Sequence, residues 1–376
     1  MRIGCPKEIK PQEYRVGITP VAAAEAVHHG HEVLIERGAG EAAGFPDSEY
    51  EAAGARILPD AAAIFAEAEM IVKVKEPQPE ERGMLRRGQV LFTYLHLAPD
   101  PEQARDLIES GVTAIAYETV TDAHGALPLL APMSEVAGRL APQMGAWALQ
   151  KSNGGRGVLL GGVPGTAPGR VVVIGGGVVG TNAARIAAGM GAEVTVLDKS
   201  LPRLREIDEA FGGGIRTRYA ARGDLLELVS AADLVIGAVL IPGAAAPRLI
   251  RRTDLACMRK GAVIVDVAID QGGSVETARP TTHADPIYEV DGIIHYCVAN
   301  MPGAVPRTST IALSHATMPY MLALADLGWR EALRRDPHLA NGLNIHAGMV
   351  TNRAVAEALE LPFVPVEQVL SEQIAA

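Results

Sequence analysis

Gly175-Gly-Gly177-Val-Val-Gly180 follows directly on the β-branched run Arg170-Val-Val-Val-Ile174. It opens an Ala-rich helical stretch from Thr181 to Met190, which leads into Glu193-Val-Thr-Val-Leu-Asp198. A G-x-G-x-x-G spacing means little by itself in a chain with 40 glycines. Set between a strand and a helix, with an acidic residue ending the next strand, it constrains the chain to a parallel α/β unit that holds a dinucleotide. Gly175 permits the tight turn, Gly177 lets a pyrophosphate approach the backbone, and Gly180 lets helix and strand pack closely. The helix start supplies unpaired N–H groups and a partial positive charge. Val178 and Val179, inside the glycine motif ahead of that helix, are cofactor-contact candidates by position. Asp198 would accept the ribose hydroxyls and repel a 2′-phosphate, so the expected cofactor is NAD. Arg203, with Lys199 and Arg205, stands just beyond Asp198, where a cation could meet a 2′-phosphate, and it joins the cofactor candidates.

Further strands surround this unit. Ala232–Val239 and Ala262–Val267 are apolar runs of the kind buried on both faces, and Gly292–Val298 is another candidate. Val239, Asp270, Asn300 and Met301 fall at or beyond the C-terminal ends of these runs, where ligands of parallel sheets collect. A turn or cap is an equally good reading of Asp270 and Asn300 from position alone.

A second alternation occupies the first 125 or so residues. Glu32–Glu36, Met70–Lys75, Gln89–His96 and Val112–Tyr117 read as strands. The stretches Thr19–His29 and Asp100–Ser110 read as helices, each opened by a capping residue before proline. Residues after 306 read as helical, from Ser309 to Ala325 and from Val350 to Leu359, with no comparable strand run. The expected fold is therefore α/β, with two Rossmann-like domains built on parallel sheets. Residues 129–306 form the NAD-binding domain, inserted between segments 1–128 and 307–376 of a substrate domain; a simple tandem of two domains fits the pattern as well. Arg15, Lys75 and His96 stand where strands of the first domain end or helices begin. Two cations there suit a small carboxylate and an imidazole can exchange a proton, although from spacing alone a strand-end Lys or His is more often a solvated surface residue.

Bulk features narrow the classes. The formal charge of −10 argues against a polyanion partner such as nucleic acid. Three scattered cysteines, Cys5, Cys257 and Cys297, offer neither a disulfide framework nor a zinc spacing, so a reducing cytoplasm is the simplest setting. The N-terminus lacks an apolar signal segment, and no run is long enough to span a membrane. His28, His29 and His31 read as cations at a helix end, and no metal is expected.

With these residues in view the chain resembles the alanine dehydrogenase family, related to the cofactor-binding subunit of proton-translocating transhydrogenase. The likeness rests on Gly4-Cys-Pro-Lys-Glu8, Glu13-Tyr-Arg15-Val-Gly-Ile-Thr-Pro20, Val74-Lys-Glu-Pro77, Thr93-Tyr-Leu-His96-Leu-Ala98, Pro132-Met-Ser-Glu135, the glycine loop, and Asn300-Met-Pro-Gly-Ala-Val-Pro306. It implies that Arg15 and Lys75 hold the substrate, that His96 and Asp270 carry the acid/base work, and that Ser134 lies near the pyrophosphate. It places Asp198 on the ribose and Asn300 and Met301 beside nicotinamide and substrate. It also implies a homohexamer and the oxidative deamination of L-alanine to pyruvate and ammonia. A transhydrogenase-type subunit, a dehydrogenase of another amino acid, and a non-catalytic NAD-binding protein are the alternatives.

Overall fold

The computed structural model describes residues 1–239 and 247–371. The chain divides into two compact units, Met1–Met133 with Val305–Ala376, and Ser134–Ala304. In chain order the strands of the first unit are β1 (Arg2–Cys5), β2 (Glu32–Glu36), β3 (Arg56–Leu58), β4 (Met70–Val72), β5 (Val90–Thr93) and β6 (Thr113–Ala116). The second unit carries β7 (Arg170–Ile174), β8 (Glu193–Asp198), β9 (Arg216–Tyr219), β10 (Leu234–Gly237), β11 (Val263–Asp266), β12 (Ile287–Val290) and β13 (Ile293–Tyr296). β14 (Leu343–His346) and β15 (Met349–Val350) return to the first unit.

The first sheet runs β15-β14-β6-β5-β4-β1-β2-β3 and the second β12-β13-β11-β10-β7-β8-β9. Six parallel strands in each follow the same doubly wound order, with the first strand beside the fourth, so each sheet has one point at which its strand order reverses. In the first unit that point lies between β1 and β4, and in the second between β7 and β10. The parallel reading therefore holds for both sheets, each with an antiparallel edge: β14 pairs with β6 and β15, and β12 with β13.

Aliphatic side chains form both cores, as a chain poor in aromatics requires. Leu34, Ile71, Leu91 and Ala114 belong to one, and Val172, Leu197, Val235 and Ile264 to the other. The expected caps are in place: Thr19 Oγ1 accepts from the Ala22 amide at 3.2 Å and Asp100 Oδ1 from that of Gln103 at 3.0 Å, opening the helices Pro20–His28 and Pro101–Ser110. His28 ends the first of these helices, and His29 and His31 both contact Asp326, at 3.0 and 2.7 Å.

Several expected boundaries move. β4 stops at Val72 and β5 at Thr93, so Lys75 and His96 lie three residues beyond their strands rather than closing them. Backbone bonds from the Lys73 amide to Phe92 and from the Tyr94 amide to Val74 carry the pairing slightly further, and His96 then adopts a left-handed backbone. Residues after 306 contain β14 and β15 as well as the helices Pro306–Leu327 and Arg353–Ala358, with Val350 in a strand rather than a helix. Among the described residues no helix is long and apolar enough to cross a membrane.

Candidate active site

Arg15 lies in the loop that leaves β1, and Lys75 in the loop that leaves β4, so the two flank the reversal point of the first sheet. The loops touch closely: a Cβ on Gly17 would stand 2.7 Å from the Val72 carbonyl oxygen. Arg15 is only 2% exposed, with Nε donating to Glu13 Oε1 at 2.7 Å and Nη2 paired with Glu13 Oε2. Burial works against the guanidinium charge, but the hydrogen bonds and charge of Glu13 raise its pKa above the ordinary value. Nη1 also meets the Met133 sulfur at 3.0 Å. The site therefore holds a permanent, pre-oriented cation, the kind of group that recognises a carboxylate.

Lys75 is half-buried. Its amide donates to Glu8 Oε1 at 3.3 Å and its carbonyl accepts from Thr93 Oγ1 at 3.0 Å. Beneath it Lys73, fully buried, pairs with Glu8 Oε2 at 3.1 Å and Glu81 Oε1 at 2.7 Å. Burial opposes this second ammonium, yet the two carboxylates raise its pKa above the ordinary value.

His96 follows β5, next to β4 in the sheet, so the third candidate stands on the same sheet edge as Lys75. Its backbone has φ +50°, a sparsely populated conformation for a residue with a side chain. The exposed imidazole stacks parallel to the Tyr94 ring, with centroids 5.8 Å apart, and the Tyr94 hydroxyl is anchored on the Leu129 carbonyl at 2.6 Å. Glu118 holds the backbone amides of Leu95 and His96.

In the second unit the glycine loop crosses the reversal point between β7 and β10. Gly175 has φ +102°, and a Cβ there would stand 2.8 Å from the Ala238 carbonyl oxygen and 3.1 Å from Val239 Cγ2. A Cβ on Gly180 would stand 1.8 Å from the Gly175 carbonyl oxygen, whereas one on Gly177 would meet nothing within 4 Å. The helix Val178–Gly189 starts here, with Val178 exposed and Val179 half-buried. Open space over Gly177 at a helix N-terminus suits a pyrophosphate, so the loop fits a dinucleotide.

Asp198 ends β8, with Oδ2 accepting from the Gly176 amide at 2.7 Å and Oδ1 from that of Ser200 at 2.7 Å. Arg203 grips the same glycine from the other side: Nε donates to the Gly176 carbonyl at 2.6 Å and Nη2 to Thr181 Oγ1 at 2.7 Å. Its guanidinium thus braces the loop, and a Cβ on Gly176 would meet both Asp198 Oδ2, at 3.2 Å, and Arg203 Cγ, at 3.4 Å. Asp270 is exposed on a short 3-10 turn, Val267–Gln271, that follows β11. Asn300 has φ +62°, its carbonyl accepts from His283 Nε2 at 3.1 Å, and the buried Met301 begins the turn Met301–Ala304. Ser134 sits half-buried in the first turn of the helix Ala131–Ala148.

The candidates thus fall into two groups. Arg15, Lys75 and His96 share the C-terminal edge of the first sheet, and Asp198, the glycine loop, Val239, Asp270 and Asn300 share that of the second. Three carboxylates that hold candidates, Glu13, Glu8 and Glu118, are not among the residues singled out by spacing. Glu13 has a signal, two residues from Arg15 in the same motif. Glu8 and Glu118 have none in their spacing, since their partners are brought to them by strand pairing.

Residues 4–137 match the family described as alanine dehydrogenase/PNT, N-terminal domain, and residues 141–353 match its C-terminal domain. An alanine dehydrogenase of Halomonas elongata is 60% identical over 364 residues, 97% of this chain and 98% of that protein. A solved structure of an L-alanine dehydrogenase superposes with a TM-score of 0.93 at 50% identity, covering 96% of this chain and 99% of that one. The structure of a transhydrogenase from Sinorhizobium meliloti gives 0.79 at 26% identity, covering 94% and 100%.

Proposed function

Because the chain belongs to the alanine dehydrogenase/PNT family, we infer that it catalyses the reversible NAD-dependent oxidative deamination of L-alanine to pyruvate and ammonia. The observation that carries the substrate side is the placement of Arg15 and Lys75 on either side of the β1/β4 reversal point, where doubly wound sheets bind ligands.

Arg15, kept cationic by Glu13, binds the substrate carboxylate. Lys75 polarises the carbonyl of pyruvate in the amination direction and stabilises the oxygen of the carbinolamine. NAD, when bound, would supply the acceptor for the hydride that leaves Cα of L-alanine. The amine loses a proton, the resulting iminium adds water, and the carbinolamine expels ammonia. His96 takes and returns the proton at the heteroatom on Cα, and Asp270 hydrogen-bonds the water, ammonia or amine. Asp198 would hold the adenosine ribose, Ser134 with Gly175, Gly177, Val178, Val179 and Gly180 would hold the pyrophosphate, and Arg203, Val239, Asn300 and Met301 would complete the contacts to NAD. In this reading residues 1–128 and 307–376 handle substrate, residues 129–306 handle NAD, and the enzyme works as a cytoplasmic homohexamer.

The test is NADH formation by purified protein with L-alanine against other amino acids. Arg15→Ala and Lys75→Ala should lower turnover with pyruvate at least 100-fold while NADH affinity stays within a few-fold; loss of NADH binding by folded variants would move both residues off the substrate. Asp198→Ala should cut the preference for NAD over NADP at least tenfold. Light scattering on the purified enzyme decides between a hexamer and smaller assemblies.

A further inference from the structure

Asp266, the last residue of β11, is fully buried and takes no part in the mechanism above. Its carboxylate gathers four donors, all from the nine residues that follow it. Oδ1 accepts from the Ala268 amide at 3.2 Å and from Ser274 Oγ at 3.0 Å, and Oδ2 from the amides of Ser274 at 2.7 Å and Val275 at 3.2 Å. The first donor lies before Asp270 and the other three after it. One buried side chain therefore ties both ends of the loop that carries an exposed carboxylate at its centre.

The surroundings are cut to fit this arrangement. The loop returns through Gly272 and Gly273, with φ +90° and +80°, whose amides donate back to Ile269 and Ala268 at 3.0 and 3.1 Å. A Cβ on Gly273 would press to 3.0 Å from Asp266 Oδ2. On the neighbouring strand a Cβ on Gly237 would stand 2.2 Å from Ser274 Oγ and 3.1 Å from Asp266 Oδ1. Glycine on both sides leaves room for the carboxylate and its donors. Burial pushes the Asp266 pKa up, against the pull of the hydrogen bonds from Ser274, Val275 and Ala268.

We propose that Asp266 is the positioning residue for Asp270, holding the 267–275 loop so that the Asp270 carboxylate is presented in one orientation to the reacting nitrogen or water. The proposal rests on the reading of Asp270 as a group of the reaction. An asparagine at 266 would turn an amide NH2 toward donors, so at least one of the four hydrogen bonds must break. The fold of the strand would remain, while the loop's centre would lose its fixed direction.

A double-mutant cycle tests this, with NADH binding and thermal unfolding measured alongside turnover of pyruvate and ammonium. Asp270→Asn should lower kcat at least 100-fold; wild-type kcat there sinks the reading of Asp270, and the proposal with it. Asp266→Asn should lower kcat 10- to 100-fold, and Ser274→Ala, which removes a single donor, about 3- to 10-fold, both with NADH affinity within a few-fold of wild type. In the Asp270→Asn background neither change should cost more than about twofold, because a positioning residue has nothing left to position. A merely structural role predicts the same fold-loss in both backgrounds, and that result overturns the proposal even where the kcat of Asp270→Asn is itself at least 100-fold lowered. Should Asp266→Asn fail to fold, Ser274→Ala decides alone: a kcat loss confined to the Asp270 background supports the proposal, and wild-type kcat rejects it.

Discussion

Glu118 Oε1 stands 2.6 Å from the backbone nitrogen of His96 and 3.9 Å from that residue's Nδ1. The same carboxylate accepts from the Leu95 amide at 3.2 Å. It thereby holds His96 at φ +50°, a backbone conformation that costs on the order of 1–3 kcal/mol where a side chain is present. One carboxylate both fixes the strained turn and faces the ring.

Glu118→Ala should therefore lower kcat about 10- to 100-fold by freeing the turn beneath His96, with NADH affinity unchanged. Glu118→Gln, which keeps an acceptor oxygen, should fall between. Steady-state rates with pyruvate and ammonium, beside an NADH fluorescence titration, check both; wild-type kcat in the alanine variant would show that the turn holds without it.

The glycine loop separates packing from ligand approach. Gly180→Ala places a methyl 1.8 Å from a backbone oxygen, so melting temperature and NADH binding should fall together. Gly177→Ala has open space around the new methyl, and the expected outcome is normal melting with NADH affinity at least tenfold weaker. If that variant binds NADH normally, the pyrophosphate lies elsewhere.

Lys73 pairs with both Glu8 and Glu81, and Lys73→Met would remove that cation and leave two carboxylates in a fully buried place. Breaking such a pair costs about 3–5 kcal/mol. Urea denaturation of the methionine variant should show a loss of that size. A loss below about 1 kcal/mol would mean that the carboxylates take up protons at little cost.

The parallel sheets and the glycine loop were legible because buried parallel strands leave continuous β-branched runs, and Val171–Ile174 and Val263–Asp266 are such runs. β9 was not: it lies at the sheet edge with the sequence Arg-Thr-Arg-Tyr, and solvent on its outer side demands no apolar pattern. β14 was hidden because Leu-Asn-Ile-His carries two polar residues whose buried side chains find partners distant in sequence, Thr119 for Asn344 and Thr113 for His346. At the site, Arg15, Lys75 and His96 could be placed on strand exits. The carboxylates that hold them could not, since Glu8 and Glu118 act at separations of 67 and 22 residues.

His346 supplies a pH test. It is 8% exposed, its Nδ1 lies 2.9 Å from Thr113 Oγ1, and its ring packs on Trp329. Burial, with the charges of Arg330 and Arg87, pushes its pKa down to about 4 from 6.5. Between those values the unfolded chain binds the extra proton, so stability falls as pH drops through that window and this contribution is flat above it. His346→Gln should remove on the order of 2 kcal/mol of the stability lost between pH 7 and pH 5. Urea midpoints at the two pH values measure it, and an unchanged pH dependence would show that the imidazole is not desolvated.

The return of β14 to β6 has a consequence for the order in which the protein is made. Synthesis at about 5–20 residues per second leaves roughly 230 residues, or some 10–45 seconds, between the emergence of Ala116 and that of Leu343. Throughout that interval the outer edge of β6 has no neighbour, and Thr113 and Ala114 offer their backbone groups to any passing strand. The second sheet needs nothing from outside Ser134–Ala304 and can close while the first still waits. The unit whose strands β1–β6 are translated before the second unit is thus the later of the two to be completed, and its greatest exposure to aggregation falls before β14 has been translated.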